Sequence, residues 1–352
     1  MKKIKTKRIY HRALSLGRNP RMTPHANACA ISAGAVLEHK ALTNFTNAFI
    51  INNIISRVWE KRKLKIKTKY IIHDIIIFMK RIIIVTGASS GMGVCFARQL
   101  AEESAGGKVV PSDEIWIVAR REDRLLETKG LIEEDAKNHG HYPAVKVIPL
   151  DISGKSGALA FREYLDREAA SGEFEVSVLV NNAGFGTYGE FASTDTEREM
   201  DMVDLDCTSL TGITGFCLPY MRQGGRIINT ASLASFLPLG NFAVYGACKA
   251  YVLSFSIALA AELSQKGISV TALCPGPVST EFANVASKGA RKEVRHGLSP
   301  EKTVAHCIKS SRKGRHYSMW AFKWKFKAFA SRFIGRYAGA WFTWKYCKRP
   351  SN

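Results

Sequence analysis

Tyr245 and Lys249 stand four residues apart in the run AVYGACKA, so on a helix the phenol and the ammonium share one face about one turn apart. A free phenol, with a pKa of about 10, exchanges protons poorly near neutrality. A lysine cation beside it favours the phenolate and brings that pKa towards working pH, which turns the pair into a proton source for carbonyl chemistry. The same spacing occurs on many solvated helix faces, so the pair gains weight only from what positions it.

Upstream, RIIIVTGASSGMGVCFARQLAEE reads as a short buried strand over Ile82 to Val85, a turn holding Gly87, Gly91 and Gly93, and an amphipathic helix from about Val94. Glycines there let the backbone turn tightly and approach a pyrophosphate, whose charge is met by amides at the helix N-terminus. The run VSVLVNNAGFG then sets Asn181, Asn182, Ala183 and Gly184 at the end of another apolar strand. RIINTAS ends a strand on Ser232, thirteen residues before Tyr245.

In these runs the sequence resembles the short-chain dehydrogenase/reductase family, in its single-domain branch. The matching elements are TGASSGMG, the strand-end Asp151, NNAG, Ser232, the Tyr245/Lys249 pair and CPGPVST, in the family's order over about 79 to 282. The resemblance implies that Ser232, Tyr245 and Lys249 are catalytic, with Lys249 also holding the nicotinamide ribose. It implies cofactor contacts from Gly87, Ser89, Ser90, Gly91, Met92 and Gly93. Asp151 and Ile152 would flank the adenine, Asn181, Ala183 and Gly184 would line the cleft, and Pro275, Gly276, Val278 and Thr280 would cover the nicotinamide side. Arg120 and Arg121 end the second strand, WIVARRED, where an arginine accommodates a 2′-phosphate, so NADP(H) is expected over NAD(H). Arginines that merely solvate a loop are the plainer alternative.

One position departs from the family. Asp206, in MVDLDCTSLTG, replaces an asparagine that in the family helps to hold a water linking the lysine to solvent. A carboxylate near Lys249 would offset the cation's effect on Tyr245 or raise the lysine pKa. Between Ser232 and Tyr245 the stretch LASFLPLGNFAV is apolar, as are Phe185 and Phe282. These residues suit a pocket for a hydrophobic ketone, aldehyde, acyl chain or sterol-like ring, or equally core packing or a subunit interface. Eight cysteines show no CxxC and no metal-ligand spacing, so neither a disulfide framework nor a metal site is expected, and Cys248 reads as a small buried side chain. This usage suits a reducing cytosol.

Net charge is +21, but it is carried by the ends: +13 over 1–78 and +14 over 281–352, against −6 between them. The first 78 residues show no sustained amphipathic period. Because family members commonly begin at a site like Met79, that residue is the expected start, with 1–78 a non-native or disordered basic extension. Residues 79–282 are the expected NADP-binding and catalytic core. Residues 283–352 would supply a substrate loop, a last strand near Arg315 to Trp320, and a basic aromatic helix with Phe326, Phe329, Phe333, Tyr337 and Trp341 at three- and four-residue spacing. That helix, within 321–346, could lie in an anionic membrane surface; docking of its apolar stripe on the domain is the preferred arrangement. Charges recur too often for a transmembrane span.

Six apolar strands alternating with helical stretches predict an α/β fold, a single Rossmann-type doubly wound parallel sheet with helices on both faces. The expected function is an NADP(H)-dependent oxidoreductase interconverting a carbonyl and an alcohol on a hydrophobic substrate, cytoplasmic or membrane-peripheral, and homo-oligomeric by resemblance. A catalytically weakened dinucleotide-binding protein acting through its tail is the rival. Nucleic-acid binding is the least favoured, since no recognition module accompanies the charge.

Overall fold

Side chains of a strand alternate between the two faces of its sheet, and in this chain both sets are apolar. The computed structural model describes residues 79–352 apart from 108, 138, 140, 293, 295, 296, 350 and 352. Expectations for 1–78 lie outside the described residues. Contacts divide the chain between Phe78 and Met79.

The elements run β1 (Lys80–Thr86), α1 (Gly91–Ala105), β2 (Glu114–Ala119), α2 (Glu122–Ala136), β3 (Ala144–Pro149), α3 (Gly154–Ser171) and β4 (Phe174–Asn181). Then come α4 (Thr196–Val203), a π-helical turn (Asp204–Ser209), α5 (Leu210–Cys217), β5 (Arg226–Thr230), α6 (Ala243–Leu263) and β6 (Ser269–Leu273). The last part holds α7 (Phe282–Ala286), α8 (Pro300–Arg312), β7 (Tyr317–Ser318), α9 (Phe322–Ala330) and α10 (Arg336–Tyr346). The sheet is parallel throughout, in the order β3-β2-β1-β4-β5-β6-β7.

Burial on both faces explains why the strands read as continuous apolar runs. Ile82 and Ile84 of β1 join Trp116 and Val118 of β2 in a core closed by Phe161 and Leu165 of α3 and Leu259 and Leu263 of α6. Ile83, Val85, Ile115 and Ile117 face the opposite core, closed by Phe96 and Leu100 of α1, Leu125 of α2, and Val304 and Ile308 of α8. Buried Glu103 ties this second layer together, pairing with Arg226 of β5 at 2.6 Å and Arg312 of α8 at 3.0 Å.

Helix α1 starts at Gly91, three residues before the expected Val94, because Gly91 and Gly93 form its first turn. At Gly93 a Cβ would stand 2.0 Å from the Gly87 carbonyl oxygen. Gly93→Ala therefore forces backbone apart, and we expect about 1–3 kcal/mol of lost stability in urea unfolding. The expected C-terminal helix is instead a pair, because Ser331–Phe333 tightens into a 3₁₀ turn and Ile334 is extended.

Among the described residues one helical stretch, Ala243–Lys266, is long and apolar enough to cross a bilayer. It contains α6, which packs against β6 and the turn after Ser232 and carries Tyr245 and Lys249 into the core.

Candidate active site

Strand order reverses between β1 and β4, and the crevice beyond their C-terminal ends is where doubly wound sheets bind ligands. Thr86 clamps the two ends: its hydroxyl accepts from the amides of Asn182 and Ala183 at 3.0 and 3.1 Å and donates to the Val180 carbonyl at 3.2 Å. The Asn182 side-chain Nδ2 donates in turn to the carbonyls of Thr86 and Gly87. Gly87 has φ +66°, and a Cβ on it would lie 2.8 Å from Ala183 Cα, so only glycine fits this close approach. Behind it α1 opens with no side-chain cap and no acidic residue in its first turn. Its free amides and the positive end of its dipole suit an anion.

A cavity of about 1120 Å³ spans this crevice. Gly87, Ser89, Ser90, Gly91 and Met92 border it, as do Arg120 and Arg121 after β2, Asp151 and Ile152 after β3, Ala183 and Gly184, and Pro275, Gly276, Val278 and Thr280 after β6. Ser232, Tyr245 and Lys249 face the same space. Two expected cleft residues do not border it. Gly93 packs α1 onto the Gly87 backbone, and Asn181 is buried, its amide donating to Thr214 Oγ1 at 2.9 Å and Asn229 Oδ1 at 2.8 Å. Asn229 donates onward to Ser256 of α6, so Asn181 belongs to a polar chain fixing α5 and α6 against the sheet.

At the exposed end Arg120 lies 3.9 Å from Asp151, while Arg121 reaches Ser89 Oγ at 3.3 Å and Glu281 at 3.4 Å. Arg124 also pairs with Glu281, at 3.2 Å. Neither Arg124 nor Glu281 was apparent from sequence, because the loop after β6 brings Glu281 across to the β2 side.

The deep end is built on α6. Lys249 Nζ donates to the Thr230 carbonyl at 3.0 Å and meets Asp206 Oδ2 at 2.8 Å, both side chains being almost wholly buried. Asp206 reaches this position because the π-helical turn between α4 and α5 rotates it inward, an irregularity frequent at functional sites. Its Oδ1 accepts from the Phe185 amide at 3.0 Å, and a Cβ on Gly184 would stand 2.6 Å from that oxygen. Asp206 thus lies beneath the cavity wall and reaches the site through Lys249.

Tyr245 sits with its ring centroid 5.5 Å from Lys249 Nζ. Lys249 pulls the phenol pKa down as expected, but it does not set the net value. Burial pushes it up; Lys249 and the Ser232 hydroxyl pull it back, and Asp206 adds to the rise, so Tyr245 ends above the ordinary phenol value. For Lys249, burial disfavours the cation, but Asp206 and Tyr245 outweigh it and hold the lysine above its ordinary range. Burial likewise lifts Asp206 above the usual carboxylate range, with Lys249 opposing it.

The apolar stretch left open in the sequence borders the cavity: Phe236, Leu237, Leu239, Phe242, Phe185 and Phe282 all do so. Phe242 stacks on Tyr245 at 4.0 Å, and Phe282 lies 5.4 Å from it. The far wall comes from the tail, which sequence reasoning did not connect to the site. Trp324 covers Gly276, where a Cβ would stand 2.3 Å from the indole, and its buried N–H finds no acceptor among the described residues. The preferred docking of the aromatic stripe is overturned, since Phe326, Phe329, Phe333, Tyr337 and Trp341 are all exposed. Small residues approach the domain instead: Ala328 is buried in the core beside Met319, and Gly339 meets Leu237.

The sheet order and the glycine turn at its switch point place the chain among the Rossmann-type dinucleotide-binding folds. Within that class it belongs to the short chain dehydrogenase family, whose model matches residues 81–291, and it is an oxidoreductase of that family. It is 32% identical over 212 residues to the NADP-dependent 3-hydroxy acid dehydrogenase YdfG of Escherichia coli (strain K12), covering 59% of this chain and 77% of that one. Among solved structures, serine dehydrogenase complexed with NADP⁺ is 28% identical with a TM-score of 0.54, covering 68% of this chain and 93% of that one. A short-chain dehydrogenase from Sphingobium yanoikuyae in complex with NADPH shares the fold, with a TM-score of 0.59 at 24% identity over 72% of this chain and 93% of that one.

Proposed function

We propose that this chain is an NADP(H)-dependent oxidoreductase that interconverts a carbonyl and an alcohol on a hydrophobic substrate. The observation that carries the reading is the convergence of Ser232, Tyr245 and Lys249 on a cavity that is glycine-lined at one end and aromatic at the other. The residues present fit a dinucleotide: uncapped amides of α1 for the pyrophosphate, Asp151 and Ile152 for the adenosine, and Lys249 for ribose hydroxyls. When bound, the cofactor supplies or accepts the hydride. In the reductive direction Tyr245 gives its phenol proton to the carbonyl oxygen, while Ser232 donates a hydrogen bond to that oxygen as negative charge builds. Lys249, charged beside Tyr245, stabilises the phenolate left behind.

NADP(H) preference rests on Arg120 and Arg121 and on similarity to NADP-dependent relatives. Replacing both arginines with alanine should lower the preference for NADPH over NADH about 10- to 100-fold, the range of one lost hydrogen bond to a charged group. Steady-state kinetics with both cofactors reads this directly. Self-association across the outer face of α6, where Tyr251 and Ile257 remain exposed, completes the proposal; light scattering tests it.

The primary experiment follows NADPH oxidation against a panel of hydrophobic ketones and aldehydes. Turnover preferring NADPH supports the reading. Tight NADPH binding without turnover across the panel would favour the dinucleotide-binding alternative.

A further inference from the structure

Helices α9 and α10 have two working sides. Inward, Trp324 of α9, Phe342 of α10 and Ile334 of the link between them help to wall the cavity. Outward, they leave large aromatic side chains in solvent: Phe322 is 80% exposed, Phe333 78% and Tyr337 83%. Phe329, Trp341 and Tyr346 extend the same exposed surface, and Phe326 runs from it to the cavity. Apolar area on this scale marks an interaction surface.

Charge decides what covers it. Residues 302–352 contain no Asp or Glu, while 321–352 carry eight Lys and Arg, among them Lys323, Lys325, Arg332 and Arg336 interleaved with the aromatic rings. A second copy of the chain offering the same face would set cation against cation. An anionic bilayer surface supplies both missing complements, a negative headgroup layer for the cations and an interfacial region for amphipathic rings.

We propose that α9 and α10 lie in the headgroup region of an anionic phospholipid bilayer and that the cavity draws its substrate from that bilayer. The lipid-facing helices are also a cavity wall, so the mouth lies at the membrane surface, and the substrate is a ketone or alcohol that partitions into lipid. This second part rests on the oxidoreductase reading above; the lipid-facing surface does not.

The test uses the full chain in two assays. Flotation with vesicles of phosphatidylcholine plus phosphatidylglycerol, and of phosphatidylcholine alone, reads binding without any turnover. Two variants, Phe322→Ser/Phe333→Ser/Tyr337→Ser and Arg332→Glu/Arg336→Glu, alter only side chains away from the cavity. Wild type should float with the anionic vesicles and weakly with the neutral ones. The arginine variant should partition at least about 25-fold less, taking about fivefold for each of the two cations lost near an anionic surface, with the two new carboxylates adding repulsion. The aromatic variant should remain in the soluble fraction. In the second assay, a short water-soluble ketone and a long-chain ketone dissolved in the vesicles are each supplied with NADPH. Anionic vesicles should speed turnover of the lipid-borne ketone in wild type only, leaving the soluble ketone unaffected in all three proteins.

Absence of flotation, or equal flotation of wild type and both variants, would overturn the lipid surface; tail-dependent self-association without flotation would assign the face to a second copy and overturn it too. Flotation with no turnover of either ketone would overturn the oxidoreductase reading and leave the lipid surface standing.

Discussion

Tyr245→Phe is expected to lose about 10³-fold or more of the reductase rate, within the 10²–10⁴ range for removing a positioned general acid. The substitution removes one oxygen and keeps the ring that stacks on Phe242 at 4.0 Å. Folding and NADPH affinity should therefore stay near wild type, so a loss in kcat without a change in thermal midpoint would assign the defect to proton transfer. Retention of most of the rate would remove Tyr245 from the mechanism. The pH profile adds a second check. Because burial holds the Tyr245 phenol above its ordinary value, the acid form persists through neutral pH. Reduction should be flat across neutrality and decline only as pH climbs through that raised value; oxidation, which needs the phenolate, should rise over the same interval.

Asp206 carries the second large effect. Asp206→Ala leaves Lys249 buried without its partner at 2.8 Å, and breaking such a pair from one side costs about 3–5 kcal/mol. The sign with pH separates this from a simple cavity. In the wild type the folded-state pKa of Lys249 is raised, so the pair's contribution is fully present below the ordinary lysine value of about 10.4 and is lost only as pH rises through the folded value. In the alanine variant the unpaired lysine is disfavoured as a cation, its folded pKa falls below the unfolded one, and stability must rise with pH. Urea midpoints for both proteins between neutral and alkaline pH decide the matter; parallel curves would show that the pair is not what holds this region. Asp206→Asn keeps the shape and removes the charge. Tyr245 then loses a destabilising neighbour of its phenolate, and the alkaline limb of reduction should move to lower pH.

The sheet was legible because β1, β2, β4 and β6 are buried on both faces, which leaves runs such as RIIIVT with no competing helical period. Ser232, Tyr245 and Lys249 were legible for a different reason: their spacing is local, and one strand end and one helix suffice to bring them together. Asn181 was misplaced because a strand-end motif does not say which of two neighbouring residues turns inward, and here Asn182 takes the loop while Asn181 joins the core; Gly93 was misplaced because a glycine turn does not say which glycine faces the crevice and which packs the helix onto the turn. The π-helical turn that aims Asp206 left no trace in the hydrophobic pattern, since one extra residue in a turn hardly alters a period. For the tail, periodicity located the aromatic stripe but not its direction. Ala328 and Gly339, unremarkable in the sequence, decide it by letting the backbone lie close and turning the larger side chains away.

The wall that α9 and α10 give the cavity begins after the last residue of the proton-transfer and glycine-turn machinery. One wall of the cavity is therefore written in a different stretch of chain from the proton-transfer residues, while Phe185, Phe242 and Phe282 of the opposite wall share the stretch that holds them. Exchanging the final thirty or so residues should reshape that one wall while Ser232, Tyr245 and Lys249 stay in place, and a fusion partner or affinity handle at the C-terminus is expected to disturb the wall before it disturbs the glycine turn or the proton-transfer residues.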